Sequence, residues 1–171
     1  MACCEHHELA VSRRTLLGAA LGGGVLAAPM MSWAIEPGEH VAEALLLTCM
    51  DYRLLDAVSA WMTCQGLRDK YDHVVLAGAA LGPTNDKYPD WAQTFWTHLD
   101  LSMKLHAIKK VIVLDHIDCG AYRLILGTTP ETEPAAHVKH LEMIRGMIVE
   151  RNRLPVDLAL MKLDGTVRPI G

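Results

Sequence analysis

The sequence predicts an α/β protein whose core is a parallel β-sheet of about four strands flanked by helices. Short apolar runs rich in β-branched residues alternate with longer segments whose apolar residues recur at helical spacing. This alternation favours a parallel sheet with right-handed crossover connections. The length of 171 residues suits one domain, and a hydrophobic content of 51% is enough for a buried core.

Four apolar runs are predicted as strands. The clearest is the run Val-Ile-Val-Leu at residues 111–114, which has the length and β-branched content of a buried strand. After the last run, an Asp-Gly pair at 164–165 predicts a turn into a short tail. The predicted strands are residues 45–47, 73–76, 109–114 and 156–163.

Three segments are predicted as helices because each carries apolar residues on one face. Trp91, Phe95 and Leu99, for example, recur at intervals of four residues. A turn of small residues at 77–83 and a loop at 127–134 separate the helices from neighbouring elements. The predicted helices are residues 54–68, 90–106 and 135–151.

Two predicted strands are followed directly by residues that bind metal ions. Cys49 comes just after the first strand, and His116 and Cys119 come just after the third. Sites in open α/β sheets form outside the carboxyl ends of the strands, where these side chains would meet. Thiolate and imidazole are the ligands that zinc prefers, and three protein ligands with an open fourth position are typical of catalytic zinc. Iron and cobalt are the alternative metals at such a site.

An acid and a guanidinium stand at alternate positions beside the first of these cysteines. Asp51 and Arg53 follow Cys49 in the order C-x-D-x-R. One interpretation is a pair that has a role at the metal site. The alternative is a local exposed ion pair, which would contribute little to stability.

Two motifs in this region are specific enough to indicate a family. They are C-x-D-x-R, with Cys49, Asp51 and Arg53, and H-x-x-C-G, with His116, Cys119 and Gly120. The chain thereby resembles the β-class carbonic anhydrase family from about residue 44 to about residue 164. The resemblance implies a zinc lyase in which a zinc-bound hydroxide attacks carbon dioxide to give bicarbonate. It also implies a parallel sheet flanked by helices, and a homodimer or higher homo-oligomer with each site near the subunit boundary.

The resemblance assigns a catalytic role to the acid and the guanidinium. In family members with an open site, the counterpart of Arg53 holds the counterpart of Asp51 off the metal, which leaves room for water. In the closed form the aspartate becomes the fourth ligand and blocks catalysis. We therefore expect Asp51 and Arg53 to gate the site, with Asp51 also orienting the zinc hydroxide.

The sequence departs from the family pattern before the second motif. Members typically carry an Arg-Asn pair before an Ala-Gly, whereas Leu76 and Ala77 precede Gly78 here. The interval between the two motifs is also longer than in compact bacterial members. These differences leave two alternatives open, namely a related zinc hydrolase of carbonyl sulfide or carbon disulfide and a catalytically silent zinc-binding homologue. A thiol redox enzyme is disfavoured because the chain has no C-x-x-C pair.

Residues 1–34 are predicted to be a twin-arginine signal peptide rather than part of the fold. The consecutive Arg13 and Arg14 are followed by a Gly/Ala-rich apolar segment at 16–31, and Ser32-Trp33-Ala34 offers a cleavage site after Ala34. The expectation is export of a folded domain, residues 35–171, to the periplasm by the twin-arginine (Tat) machinery. A retained membrane anchor is the alternative, since the apolar run approaches the roughly 20 residues that span a bilayer.

Other polar residues are given structural interpretations. Cys64 lies among apolar neighbours in a predicted helix and is expected to be a small buried hydrophobe.

Asp115 and Asp118 flank His116, so either is expected to accept its second ring proton or to stabilise the turn. The other histidines of the helices are expected to be ordinary surface residues rather than proton shuttles: His98, His106, His137 and His140. The net charge of −4 without a basic stripe argues against nucleic acid as a partner.

Overall fold

A five-stranded sheet organises residues 41–171, the part of the chain that the computed structural model describes. The strand order is β2-β1-β3-β4-β5. The predicted signal peptide, residues 1–34, lies outside the described residues. The strands are β1 (Ala44–Thr48), β2 (Tyr71–Val75), β3 (Lys110–His116), β4 (Val156–Met161) and β5 (Val167–Ile170).

The first four strands are parallel, as the sequence predicts. Strand β1 pairs with β2 and β3, and β3 pairs with β4, all in parallel register. The fifth strand is antiparallel to β4 and occupies the segment predicted as a short tail. A turn closed by a bond from the Lys162 N–H to the Thr166 carbonyl connects β4 to β5. Pro169 lowers the strand signal of this segment and is tolerated because β5 is an edge strand.

In the described part of the chain, five α-helices and one 3₁₀ turn connect and cover the strands. The α-helices are α1 (Leu55–Cys64), α2 (Leu81–Thr84), α3 (Pro89–His106), α4 (Gly120–Leu126) and α5 (Glu133–Asn152), and the 3₁₀ turn is Tyr52–Leu54. The short helices α2 and α4 were not predicted, because neither is long enough to show a helical period. Within residues 41–171, no helix combines the length and hydropathy needed to cross a membrane.

The core lies on both faces of the sheet. On one face, α3 and α5 contribute Phe95, Leu99 and Ile144 to a cluster that includes Leu45 and Leu47 of β1. On the other face of the sheet, α1 covers the β1 side chains that alternate with Leu45 and Leu47. Strand β1 is completely buried, which explains why it reads as a continuous apolar run.

One prediction for α1 is wrong. Cys64 is exposed rather than buried. The buried face of the helix is formed by Val58 and Met62, which are four residues apart. Successive helical residues are rotated by about 100°, so Cys64 lies roughly 200° around the helix from Met62 and faces outward.

Candidate metal centre and active site

The parallel pairing of β1 and β3 brings the predicted metal ligands together. Thr48 and Leu114 are partners in the register, so both strands reach the same edge of the sheet. Cys49 follows β1, His116 is the last residue of β3, and Cys119 immediately precedes α4. Their ligand atoms all lie within 4.8 Å of one another, as the sequence analysis predicted.

The spacing of these atoms fits a zinc ion. The two Sγ atoms of Cys49 and Cys119 are 3.8 Å apart. Two sulfurs bound at about 2.3 Å with tetrahedral angles would be about 3.8 Å apart, whereas a disulfide requires about 2.05 Å. The Nε2 atom of His116 is buried and has no hydrogen-bond partner, so its lone pair is available to a metal.

The ring of His116 is oriented by a backbone carbonyl. Its Nδ1 lies 2.9 Å from the Ile117 oxygen, which can only accept, so Nδ1 carries the proton and Nε2 is left for the metal. Asp115 and Asp118 do not accept this proton, contrary to one of the two expectations. Because successive strand residues face opposite sides of a sheet, the Asp115 side chain points away from His116.

The pKa values of the two thiols are shifted in opposite directions. A hydrogen bond from Cys119 lowers the pKa of Cys49 to about 4, against the opposing effect of burial, and the nearby His116 and the Gly78 N–H at 3.3 Å act in the same direction. The same hydrogen bond and burial raise the pKa of Cys119. Burial lowers the pKa of His116, but the interaction with the nearby Cys49 outweighs burial, and the net shift is upward. The site therefore already accommodates a thiolate.

Asp51 is held beside the metal ligands by Arg53. The guanidinium donates from Nε to Oδ1 at 2.9 Å and from its Nη2 to Oδ2 at 2.6 Å, and the Arg53 backbone N–H donates to Oδ1 at 3.0 Å. These bonds lower the pKa of Asp51 to about 2. Its Oδ2 lies 3.8 Å from Nε2 of His116, yet Asp51 does not join the ligand cluster of the described residues. A bidentate pair this close to the ligands is more than a generic surface ion pair.

Arg53 has a second partner that the sequence analysis missed. One Nη atom donates to the Asp118 carboxylate at 2.9 Å, and the other donates to the Asp118 carbonyl at 3.0 Å. Arg123 donates to the other carboxylate oxygen of Asp118 at 2.6 Å. Asp118 thus links the two arginines and ties the C-x-D-x-R motif to the turn of the H-x-x-C-G motif. Only the folded chain reveals this contact, because 65 positions separate Arg53 and Asp118.

A largely apolar cavity of about 700 Å³ opens from the metal ligands. Cys49, Asp51, Arg53 and Cys119 line it together with Tyr52. Its other walls are Met50, Ala77, Tyr88, Trp91, Asp118, Gly120, Ala121, Arg123, Leu124 and Ile125. A small apolar molecule can therefore reach the ligand cluster.

The burial of two helix histidines differs from the expectation drawn from the sequence. His137 and His140 of α5 are buried rather than exposed. His137 occupies the same helical stripe as Leu141, Ile144 and Ile148, a spacing visible in the sequence that marks a buried position. His98 is exposed as expected, and His106 is half-buried beside Asp72, 2.8 Å from its nearer oxygen.

Fold and site together define the class of protein. A mostly parallel sheet with a Cys2His cluster at the carboxyl edge of β1 and β3 is a β-carbonic anhydrase-like arrangement. A family model described as "Putative carbonic anhydrase" matches residues 40–158. The chain belongs to this carbonic anhydrase family, and the resemblance drawn from the two motifs is confirmed.

Two relatives and one solved structure are similar to most of this chain. An uncharacterized protein of Rickettsia conorii is 41% identical over 134 residues, which are 75% of this chain and 72% of the relative. Another, from Rickettsia bellii, is 39% identical over 134 residues, 75% of this chain and 82% of the relative. A solved β-carbonic anhydrase from Trichomonas vaginalis, isoform I, is 17% identical, covers 79% of this chain and 86% of its own, and superposes with a TM-score of 0.51. At this identity the structural likeness speaks for the fold alone.

Proposed function

We propose that this protein catalyses the reversible hydration of carbon dioxide to bicarbonate, with zinc held by Cys49, His116 and Cys119. The observation that carries the proposal is the 3.8 Å separation of the two Sγ atoms, next to a buried His116 Nε2 without a partner. These are three ligands of the kinds and spacing that suit zinc, with a fourth position left open. A structural site would be expected to close with a fourth protein ligand.

When bound in such a site, zinc lowers the pKa of a water ligand to near 7, which supplies a hydroxide nucleophile at ordinary pH. The chain's own contribution is to hold that position open. Arg53 keeps both oxygens of Asp51 engaged, at 2.6 and 2.9 Å, so that the carboxylate is not released to become a ligand.

Asp51 has a second role in this proposal. With its pKa held at about 2, Asp51 is ionised at neutral pH and can only accept hydrogen bonds. Its position 3.8 Å from His116 Nε2 would allow it to accept a hydrogen bond from the O–H of a water or hydroxide held at the open position, and so to orient that group. A carboxylate of such low basicity orients rather than carries the departing proton.

The apolar cavity suits carbon dioxide, and it also suits the related molecules carbonyl sulfide and carbon disulfide. The test is a side-by-side measurement of the three reactions with one zinc-loaded preparation, with Cys49→Ser as the control. Faster turnover of carbon dioxide than of either sulfur compound is expected. Turnover of a sulfur compound alone would replace the proposal with a zinc hydrolase, and no turnover with stoichiometric zinc would indicate a silent homologue.

We also propose a homodimer or larger homo-oligomer. Large apolar side chains stand exposed around the cavity, with Tyr52 at 82%, Leu124 at 74% and Met50 at 66% of full exposure. Exposed apolar clusters of this kind are typical of protein interfaces. Light scattering coupled to gel filtration tests the proposal, and a monomer at micromolar concentration would contradict it.

For the precursor we propose export to the periplasm through the twin-arginine machinery, with cleavage near Ala34. The support is the sequence Ser12-Arg13-Arg14-Thr15 followed by an apolar segment. Cell fractionation and N-terminal sequencing test this. Replacement of both arginines by lysine should leave the precursor in the cytoplasm, and unchanged export would contradict the proposal.

A further inference from the structure

The first residue of α5 contacts the turn that carries Cys119. The two carboxylate oxygens of Glu133 accept separate backbone bonds, Oε1 from the Cys119 N–H at 2.7 Å and Oε2 from the Asp118 N–H at 3.0 Å. Glu133 is only 6% exposed. A buried carboxylate thus spans two consecutive residues of the metal-binding turn.

The location of Glu133 explains how a carboxylate is tolerated in this buried place. It begins a 20-residue helix, where the positive end of the helix dipole favours an anion. Bonds from N–H donors to an ionised acceptor are stronger than neutral ones, and Glu133 makes two of them. A buried carboxylate without such partners would be strongly destabilising.

The turn needs this support because its backbone is strained. Asp118 has a φ of +62°, in the left-handed region that residues other than glycine rarely adopt. Such a conformation persists where the surroundings restrain it. Glu133 supplies that restraint from a different element, since its two carboxylate oxygens accept the N–H groups of Asp118 and Cys119 in this conformation of the turn.

One helical turn further on, His137 extends the contact to the other ligand. Its Nδ1 donates to Asp115 Oδ2 at 2.7 Å, and its Nε2 faces Glu133 Oε1 at 3.6 Å. Asp115 directly precedes His116 and also accepts from the Tyr122 hydroxyl at 2.6 Å and, with its other oxygen, from the Ala80 N–H. The same face of α5 therefore contacts the segments that carry His116 and Cys119.

We propose that Glu133 is a positioning residue that fixes Cys119 in its metal-binding geometry, with His137 and Asp115 bracing it. This inference rests on the zinc site of the proposed function but not on the reaction catalysed there. Glu133 touches neither the metal position nor the cavity, so its effect passes through the backbone of the turn. Loss of its charge should loosen the turn and weaken metal binding before it unfolds the domain.

The test compares Glu133→Gln with Glu142→Gln, which makes the same chemical change on α5 at a side chain that is 52% exposed. The glutamine carbonyl can accept one of the two N–H groups, while its amide faces the other donor. Chelator competition should give a zinc dissociation constant raised about 10- to 100-fold in Glu133→Gln, the range seen when partners of metal ligands are removed. The cobalt-substituted protein should show shifted visible absorption bands. Glu142→Gln should match the wild type in both measurements. A Glu133→Gln protein that is folded and binds zinc as tightly as the wild type would overturn the proposal.

A second measurement needs no variant. In metal-free wild type, the amide protons of Asp118 and Cys119 should exchange slowly with solvent, because the carboxylate accepts both. Fast exchange of both would overturn the proposal even if Glu133→Gln failed to fold. The two proposals can fail separately. If Glu133→Gln binds zinc more weakly but the wild type does not hydrate carbon dioxide, only the proposed reaction is refuted. A wild type that binds neither zinc nor cobalt would refute both.

Discussion

Cys49 and Cys119 are 70 positions apart in the chain, yet their Sγ atoms lie 3.8 Å from each other. The distance follows from the parallel pairing of β1 with β3, whose carboxyl ends each lead into a turn that carries one thiol. It is too long for a disulfide and fits two ligands of one tetrahedral metal ion. The sheet register is therefore what creates the candidate metal centre.

Removal of the Asp51 carboxylate should impair the reaction without removing zinc. Asp51→Ala leaves the three ligands intact but removes the acceptor that lies 3.8 Å from His116 Nε2. We expect kcat/KM for carbon dioxide hydration to fall by about 10- to 100-fold, the range found when groups that orient a metal site are removed. Zinc content should stay at the wild-type value. Full activity in Asp51→Ala would refute the assigned role.

Asp118 should affect activity through its contact with Arg53. Asp118→Asn removes the charge that holds one guanidinium nitrogen at 2.9 Å and weakens the restraint on Asp51. Activity should fall while the free energy of unfolding changes little, because solvent screens these exposed groups. Asp157→Asn breaks a surface pair with Lys110 and is the matched control. Equal kinetics in the two variants would contradict the link between Asp118 and the gate.

The buried hydroxyl of Tyr122 should contribute to stability. Tyr122→Phe preserves the ring but removes the donor at 2.6 Å from Asp115, a buried carboxylate. Hydrogen bonds to charged groups contribute about 1.5–3 kcal/mol, and a loss in that range is expected in urea unfolding. Tyr52→Phe changes an exposed hydroxyl and should alter stability by less than about 0.5 kcal/mol. Equal stability of the two variants would contradict the importance of the buried network.

The ligand cluster could be predicted from the sequence because it depends on local features. Cys49, His116 and Cys119 each lie within a few residues of a strand that reads clearly as buried, and adjacent parallel strands end at a common edge. Asp51 and Arg53 are near neighbours of Cys49, so their pairing was also foreseeable.

The supporting contacts could not be predicted in the same way. Glu133 reaches Cys119 from a helix start, and Asp118 reaches Arg53 across the site. Nothing local predicts either contact, because the partners are fixed by how α5 and the turn pack. His137 is an intermediate case. Its place in the apolar stripe of α5 predicts burial, but the acceptor, Asp115, is set by tertiary packing.

Stability should fall as the pH is lowered, partly through His140. Burial lowers the pKa of this histidine below its usual 6.5. Below about pH 6.5 the unfolded state therefore binds more protons than the folded state. The contribution of neutral His140 to folding stability is complete above about pH 6.5, and it is lost as the pH falls through the pKa of His140 in the folded state. The Thr84 hydroxyl donates to the Ala80 carbonyl, so its oxygen must accept from His140 Nδ1, which fixes the neutral tautomer.

Urea unfolding at several pH values checks this prediction. His140→Gln should lose less stability than the wild type between about pH 7.5 and pH 5.5, whereas His98→Gln, at an exposed position, should keep the wild-type dependence. Identical pH dependence in His140→Gln and wild type would contradict the proposed cost of charging the buried ring.

The proposed zinc lyase activity depends on three protein ligands with an open fourth position. The most direct measurement is stopped-flow hydration of carbon dioxide by the zinc-loaded protein, scanned from mildly acidic to alkaline pH. We expect activity that rises through a single ionisation, as is usual for a zinc-coordinated water, and that is abolished in Cys49→Ser. Absence of hydration at every pH, with one zinc ion bound per chain, would contradict the proposal.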